Sequence, residues 1–237
     1  MFIDLHTHTF PNSDDSFMSP DELVEAARGL RLDGLCITEH DYFWNPADIL
    51  ALSRRHNFLV LPGCEVNTDA GHVLVFGLEK YVFGMHKVAF LRQLVEQTGG
   101  VIVAAHPYRR RYLSERAQIP EDYRSMVDRA CADEFFSFCD AIEVLNGRAT
   151  DGETGFSLNL SRRLGLGMAG GSDSHRLTHL GNVATRFQNK IACFEDFIRE
   201  MRAGRFAPVV LDRGPSHGSW RAFDGPGPRG KGGHVDG

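Results

Sequence analysis

Short apolar runs alternate with amphipathic segments along most of this chain. Runs such as Met1–Ile3, Gly34–Thr38, Phe58–Leu61 and Val101–Ala105 are rich in aliphatic and β-branched residues, which is typical of buried strands. Between these runs, apolar residues recur at helical spacing, as in the segment from Ser19 to Leu30. Strands that alternate with helices in this way predict an α/β fold built from parallel βα units.

Local signals mark where several of the helices begin and end. Ser19, Pro20 and Glu22 have the pattern of a capping box, and Asn45-Pro46 predicts a second helix that continues to His56. Gly99-Gly100 is a stop signal for a third helix, predicted over 85–97. Further helices are predicted over 121–138, 155–164 and 194–203, and further strands over 72–76, 141–145, 183–187 and 206–211.

Acidic residues and histidines follow most of the predicted strands. His6 and His8 are two residues apart, so an extended backbone directs both side chains to one side. Asp173 and His175 repeat this spacing after two glycines that allow a close backbone approach. A (β/α) barrel gathers its active site at this end of the strands. The candidate ligands are His6, His8, Asp15, His40, Glu65, His72, His106, Asp173 and His175.

The number and type of these side chains predict a metal cluster. One zinc ion takes about four ligands, so this set is too large for a single ion and fits two or three. Imidazole and carboxylate ligands without thiolate suit Zn²⁺, Mn²⁺ or Fe²⁺. The alternative for each residue taken alone is a hydrogen-bonded group in the core or on the surface.

Net charge, cysteine pattern and hydropathy indicate the cellular compartment and the partners that we expect. The net charge is −5, from 26 basic and 31 acidic residues, so the chain shows no electrostatic footprint of duplex nucleic-acid binding. The five cysteines form no Cys-x-x-Cys pair, which favours buried thiols in a reducing compartment. No apolar stretch is long enough to cross a membrane. We therefore expect a cytoplasmic protein without a membrane partner, of unknown oligomeric state.

The last part of the chain differs in composition from the rest. From about Arg213 onward, glycine, proline and scattered charges replace the apolar runs, and His217 and His234 lie there. Such a segment buries too little apolar surface to offset the entropy of ordering. We predict one domain over residues 1–211 and a disordered tail over 212–237.

Five short motifs together resemble the polymerase-and-histidinol-phosphatase (PHP) family. They are Asp4-Leu5-His6-Thr7-His8-Thr9, Ile37-Thr38-Glu39-His40-Asp41, Gly63-Cys64-Glu65, Ala105-His106-Pro107 and Gly171-Ser172-Asp173-Ser174-His175. The resemblance implies a distorted (β/α)7 barrel with a two- or three-metal centre that hydrolyses phosphoesters. The chain looks most like the small stand-alone members, some of which act on nucleotides or on nucleic-acid 5′ ends.

The resemblance also implies roles for single residues. His6, His8, Glu65 and Asp173 surround one metal, with Glu65 as a bridge, and His40 and His106 bind a second. Asp15 matches the acid that follows the first motif, with Asp14 as its rival, while His72 and His175 complete the set. Glu39 stands where aspartate is commoner and serves behind the ligands. Glu143 stands at a position that is sometimes histidine, and its role is open.

The predicted function is hydrolysis of a phosphate ester by a hydroxide generated at the metals. Arg109, Arg110 and Arg111 follow a predicted ligand, and the planar guanidinium suits phosphate oxygens; Arg148 is a further candidate. The proton donor to the leaving group is His40, Asp41 or His175. Two alternatives are hydrolysis of a carboxyl or carbamate ester at the same metals, and a metal-dependent binding domain without turnover.

Overall fold

The structure is a computed structural model that describes residues 1–109, 112–113, 115–212, 219–223 and 225. Arg110 and Arg111, two of the predicted phosphate-binding residues, therefore lie outside the described residues, as do His217 and His234.

The described residues form a mixed α/β domain of eleven strands and six α-helices. The strands are β1 (Phe2–Thr7), β2 (Gly34–Ile37), β3 (Leu59–Pro62), β4 (Cys64–Thr68), β5 (Gly71–Phe76), β6 (Val101–Ala104), β7 (Ala141–Asn146), β8 (Gly167–Gly171), β9 (Val183–Phe187), β10 (Phe206–Asp212) and β11 (Ser219–Ala222). The helices are α1 (Pro20–Gly29), α2 (Pro46–His56), α3 (Val88–Thr98), α4 (Pro120–Cys131), α5 (Asp151–Leu164) and α6 (Phe194–Arg202). Short 3-10 helices cover Glu115–Gln118, Glu134–Phe138 and Leu177–His179.

The predicted helix signals act as expected. Ser19 accepts a hydrogen bond from the backbone N–H of Glu22, whose carboxylate accepts one from the N–H of Ser19, so the capping box is confirmed. Asn45 caps α2 through the N–H of Ala47, and Gly99 ends α3 with φ +68°. A capping box at Thr150 and Glu153 starts α5 a few residues earlier than the apolar pattern predicts.

The sheet pairing is only partly parallel, which corrects the expectation of regular βα units. One sheet has the order β11-β10-β9-β1-β2-β3 and the other has the order β4-β5-β6-β7-β8. Parallel pairing joins β1 with β2, β2 with β3, β6 with β7 and β7 with β8, while all other neighbours are antiparallel. The two sheets form separate ladders, so no closed barrel runs through the described strands.

The hairpin of β4 and β5 explains much of this difference. The sequence pattern does not separate β4 from β3, yet β4 leaves the first sheet and pairs antiparallel with β5, with Asn67 opposite His72. Because β5 also runs antiparallel to β6, the start of β5 lies beside the end of β6. A residue that begins β5 therefore faces the same edge as residues that end the parallel strands.

At that edge the two sheets approach each other. Isolated bridges join Thr7 with Ser174 and His40 with Glu65, and the N–H of His8 donates to the carbonyl of Ser174 at 3.0 Å. Gly171 makes one approach possible, because a Cβ there would lie 2.5 Å from the Cβ of His6. The predicted role of the paired glycines is thus confirmed.

Apolar side chains on both faces of the sheets form the buried core. Among them, Phe76 and Phe197 are fully buried and meet edge to face with ring centroids 5.0 Å apart, which fastens α6 to β5. No helix in the described part of the chain is long and apolar enough to span a membrane.

The segment with predicted disorder contains one strand. Residues 219–222 form β11, which pairs antiparallel with β10, and Trp220 stacks on Phe2 with ring centroids 5.8 Å apart. The stacking of Trp220 on Phe2 packs β11 against β1. The glycine-rich composition of this segment does not predict that contact. Most of the remaining residues after 212 lie outside the described residues.

Candidate metal centre

The carboxylate of Glu65 lies at the centre of the candidate site. It is buried on β4, and five imidazoles converge on its two oxygens. Oε1 lies 2.8 Å from Nδ1 of His72 and 2.9 Å from Nε2 of His106. Oε2 lies 3.0, 3.2 and 3.3 Å from ring nitrogens of His40, His6 and His8, in that order. A carboxylate with different histidines on each oxygen has the arrangement of a bridging ligand.

Glu143, whose role the sequence left open, holds two of these histidines in place. One of its oxygens lies 2.9 Å from Nδ1 of His6, and the other accepts the backbone N–H of His106 at 2.9 Å. Asn146 donates to the same carboxylate at 3.0 Å. With Nδ1 of His6 engaged, its Nε2 is directed to the centre, which is how ligating histidines are commonly oriented. Glu143 therefore stands behind the ligands.

Ser13 and Glu39 orient His8 in a similar way. The Ser13 hydroxyl donates to Glu39 at 2.6 Å and lies 3.2 Å from Nδ1 of His8. It also accepts the backbone N–H of His40 at 3.3 Å. Glu39 is fully buried and accepts further hydrogen bonds from Thr9. Sequence reasoning missed Ser13, although its place between two ligand motifs was visible.

Asp173 links the cluster to two arginines. Its Oδ1 lies 3.7 Å from Nε2 of both His6 and His8, and its Oδ2 accepts a hydrogen bond from Arg109 at 2.9 Å. Arg148 lies 3.7 Å from Oδ1. Asp173 has φ +53° and His106 has φ +28°, in a region that costs a non-glycine residue about 1–3 kcal/mol. This backbone turns both side chains inward at the ends of β8 and β6.

Asp15 stands at the entrance of the site together with His40 and His175. Its Oδ2 lies 3.0 Å from Nε2 of His175 and 3.5 Å from Nε2 of His40. Asp14 is exposed and has none of these contacts, so the structure brings Asp15 rather than Asp14 to the cluster. Asp41 lies apart, because its carboxylate accepts the backbone N–H of Asn67 at 3.1 Å.

Burial and neighbouring charges shift the pKa values of Glu65, Asp173 and His8 in directions that suit a cation. For His6, burial lowers the pKa, but neighbouring carboxylates outweigh it and raise that pKa. Burial raises the pKa of Glu65, but the charge of His6 and the hydrogen bonds from His106 and His40 outweigh it and hold that pKa well below its usual range. For Asp173, burial is likewise outweighed by His6 and Arg109, and its pKa is lowered. Burial lowers the pKa of His8 to about 3, so this imidazole is neutral, as a ligand must be.

The residues fit divalent metal ions. Nε2 of His8 is buried without a hydrogen-bond partner and faces the oxygens of Glu65 and Asp173. A buried polar atom without a partner is costly, and a metal ion would satisfy this one. Within the described residues, four groups have ligand atoms close enough to share an ion: His8–His40–His175, His6–His106–Asp173, His6–His8–Glu65 and Glu65–His72–His106. All nine predicted ligands are thus in the cluster or, for Asp15, beside it.

A cavity of about 510 Å³ opens onto this cluster. Its lining includes the ligand candidates at the entrance and both arginines that contact Asp173. Its lining also includes Ala70, Pro107, Tyr112 and Phe135. The site therefore combines buried carboxylates, imidazoles and guanidinium groups around one space of small-molecule size.

Comparison with known families agrees with this geometry. The model of the PHP domain matches residues 4–141, more than half of the chain, and a PHP-associated model matches residues 155–206. The chain belongs to the PHP family. The predicted resemblance to this family is confirmed.

Solved structures share the PHP fold at low sequence identity. PsfC from Pseudomonas syringae PB-5123 has a TM-score of 0.60 and 20% identity, over 90% of this chain and 93% of PsfC. A Bifidobacterium adolescentis protein assigned as a metal-dependent phosphoesterase has a TM-score of 0.54 and 20% identity, over 85% and 96% of the two chains. An amidohydrolase from Chromobacterium violaceum, with bound sulfate and no metal, has a TM-score of 0.54 and 20% identity. The match covers 73% of this chain and 87% of the amidohydrolase. Among curated proteins, none matches this chain.

Proposed function

We propose that this PHP protein hydrolyses phosphate esters of nucleotides or nucleic-acid ends, with two or three Mn²⁺, Zn²⁺ or Fe²⁺ ions as cofactors. The observation that carries the proposal is the position of Arg109 and Arg148. Both guanidinium groups line the cavity, and both lie against Asp173 at the edge of the cluster. A phosphate between the metals and these groups would meet positive charge on two sides.

Each part of the site has a role in this proposal. Divalent ions, when bound, would supply a water nucleophile at neutral pH and neutralise charge on the phosphoryl group. Glu65 would hold such ions, and Glu143 and Ser13 keep His6 and His8 in ligating orientations. Arg109, fixed by Asp173, presents its remaining N–H groups to the phosphate oxygens.

The proton for the leaving group would come from His40 or His175. Both line the cavity and both face Asp15, which is exposed and can exchange protons with solvent. Asp41 is the weakest of the three predicted donors, because its carboxylate is engaged with Asn67 away from the cavity.

We further propose that the two sheets act together as the distorted (β/α)7 barrel of the family. The bridges from Thr7 to Ser174 and from His40 to Glu65 connect them at the metal-binding edge. Such a barrel would collect the ligands from β1, β4, β5, β6 and β8 around one axis.

Carboxyl-ester or carbamate hydrolysis is the second candidate. The wall formed by Pro107, Tyr112 and Phe135 is apolar and favours an acyl group over a phosphate. The guanidinium groups of Arg109 and Arg148 in the same lining favour the phosphoester.

A substrate screen would test the proposal. The protein loaded with Mn²⁺ is assayed against nucleoside monophosphates, short oligonucleotides, sugar phosphates and carboxyl esters. We expect turnover of the first two classes that is lost in Asp173→Asn and His8→Ala at unchanged far-UV circular dichroism. Faster turnover of carboxyl esters than of every phosphate ester would replace the proposal by the second candidate.

A further inference from the structure

The loop between β1 and α1 exposes two phenylalanines next to the metal centre. Phe10 is 57% exposed and Phe17 is 67% exposed, and Asp15 of the same loop lines the cavity. Single exposed apolar side chains are common on protein surfaces, so exposure alone does not indicate a ligand. This loop is distinguished by its hydrogen bonds to the candidate metal centre and by the cation beside Phe17.

The backbone of this loop is fixed to the metal centre. The N–H of Phe17 donates to the carbonyl of His175 at 2.9 Å, and the N–H of Phe10 donates to the carbonyl of Met18 at 2.9 Å. The hydroxyl of Ser16 donates to the carbonyl of His8 at 2.9 Å. Met18 is buried and anchors the loop in the core. The backbone of Phe17 is thus fixed to the backbone of a candidate metal ligand.

Arg176 covers the ring of Phe17. Its guanidinium carbon lies 4.0 Å from the ring centroid, within the range of a cation–π contact. Arg176 follows His175 directly in the chain, and the neighbouring Leu177 is 45% exposed. The ring and the guanidinium group together form an apolar and cationic surface, two residues along the chain from Asp15 and one from His175, which both line the cavity.

We propose that Phe17 and Arg176 form a subsite for the base of the substrate nucleotide. Aromatic rings and guanidinium planes both stack on nucleobases with little preference for sequence. The phosphate would lie between the metal cluster and Arg109, while the base reaches the rim through the sugar. This inference rests on the proposed function and adds to it the feature that separates nucleotides from sugar phosphates.

The test compares a substrate that has a base with one that lacks it. KM is measured for adenosine 5′-monophosphate and for ribose 5-phosphate in the wild type and in Phe17→Ala and Phe17→Trp. Stacking on an aromatic side chain corresponds to about 5- to 150-fold in affinity per base. We expect Phe17→Ala to raise KM for the nucleotide by about tenfold or more and to leave KM for the sugar phosphate unchanged, while Phe17→Trp keeps the wild-type ratio. Phe83→Ala, which removes an 89% exposed ring from the segment between β5 and α3, is the matched control.

A binding measurement separates this inference from the proposed function. Binding of 2-aminopurine riboside 5′-monophosphate is followed by its fluorescence, which stacking quenches, in wild type, Phe17→Ala, Arg176→Ala and Phe83→Ala. We expect the wild type and Phe83→Ala to bind with quenched fluorescence, and Phe17→Ala and Arg176→Ala to bind about tenfold more weakly. This result would support the subsite even if no phosphoester is hydrolysed. Equal binding by wild type and Phe17→Ala overturns the subsite, even if the wild type is an active phosphoesterase.

Discussion

Nδ1 of His72 lies 2.8 Å from Oε1 of Glu65, across the hairpin of β4 and β5. Glu65 is opposite Leu74 in this ladder, so His72 is its diagonal neighbour on the same face. The hairpin thus brings a histidine from the beginning of one strand to a carboxylate that four further histidines approach.

Glu65→Gln should abolish stable metal binding. The amide keeps the size of the side chain but loses the charge that faces five imidazoles. We expect the wild type to retain more than one metal equivalent after dialysis and the variant to bind metal more than 100-fold more weakly, since even partners behind the ligands contribute about 10–100-fold. Elemental analysis after dialysis against Mn²⁺ or Zn²⁺ measures this. Glu25→Gln, at an exposed position on α1, is the control. A wild type with one equivalent, or a variant with full metal content, would contradict the cluster.

Ser13→Ala should weaken metal binding without touching a ligand. The change removes the hydroxyl between Glu39 and Nδ1 of His8, so the imidazole loses its orientation. We expect the dissociation constant for Mn²⁺ to rise about 10–100-fold and the activity lost at low Mn²⁺ to return at high Mn²⁺. A titration followed by activity and by calorimetry measures both. Ser137→Ala removes a hydroxyl that donates to the backbone carbonyl of Glu134 in the 3-10 helix Glu134–Phe138, and it should change neither. A variant that is less stable but binds Mn²⁺ normally would leave Ser13 with a structural role only.

Arg109→Ala should lower kcat/KM for phosphate esters by about 10- to 150-fold, because hydrogen bonds to charged partners contribute about 1.5–3 kcal/mol each. Asp173 keeps its hydrogen bond from Asn146, so the metal content should fall far less than the activity. Arg124→Ala, at an exposed position on α4, should have wild-type kinetics. We also expect at least one of Arg110→Ala and Arg111→Ala to be silent. Loss of metal in parallel with activity in Arg109→Ala would argue for a role in the cluster instead of in substrate binding.

Glu200→Gln should reduce stability at neutral pH but not at low pH. The buried carboxylate accepts hydrogen bonds from Arg205 at 2.7 and 2.9 Å and from Asn189 at 2.9 Å. The bonds from Arg205 lower the pKa of Glu200 despite its burial. A carboxylate with a lowered pKa in the folded state stabilises the protein above its ordinary pKa, and this contribution disappears as the pH falls through the folded-state value.

We therefore expect the variant to lose about 1–2 kcal/mol of unfolding free energy at pH 7. The difference from the wild type should narrow below about pH 4. Urea unfolding at a series of pH values measures it, with Glu25→Gln as the variant that should follow the wild type throughout. A difference in unfolding free energy that stays constant at all pH values would mean that the packing of Glu200, and not its charge, contributes the stability.

Much of the local structure was accessible from the sequence because its causes are local. The capping box at Ser19 and Glu22, the cap at Asn45 and the stop at Gly99 each depend on residues within one helical turn. The family motifs also marked most of the histidines and acids that the structure gathers. The strand assignments were less complete, because β4 and β11 have no strong period of their own and are held by their partners.

The sequence by itself determined which side chains are candidate metal ligands: His6 and His8 two residues apart, Glu65 after an apolar run, and Asp173 after paired glycines. Only the tertiary structure decided how they meet. The hairpin that turns β5 around brings His72 to Glu65, and the backbone that follows β1 brings Ser13 to His8 and Asp15, not Asp14, to His175. These contacts join residues from different strands and loops, so their geometry depends on chain direction and register, which no local pattern of residues contains.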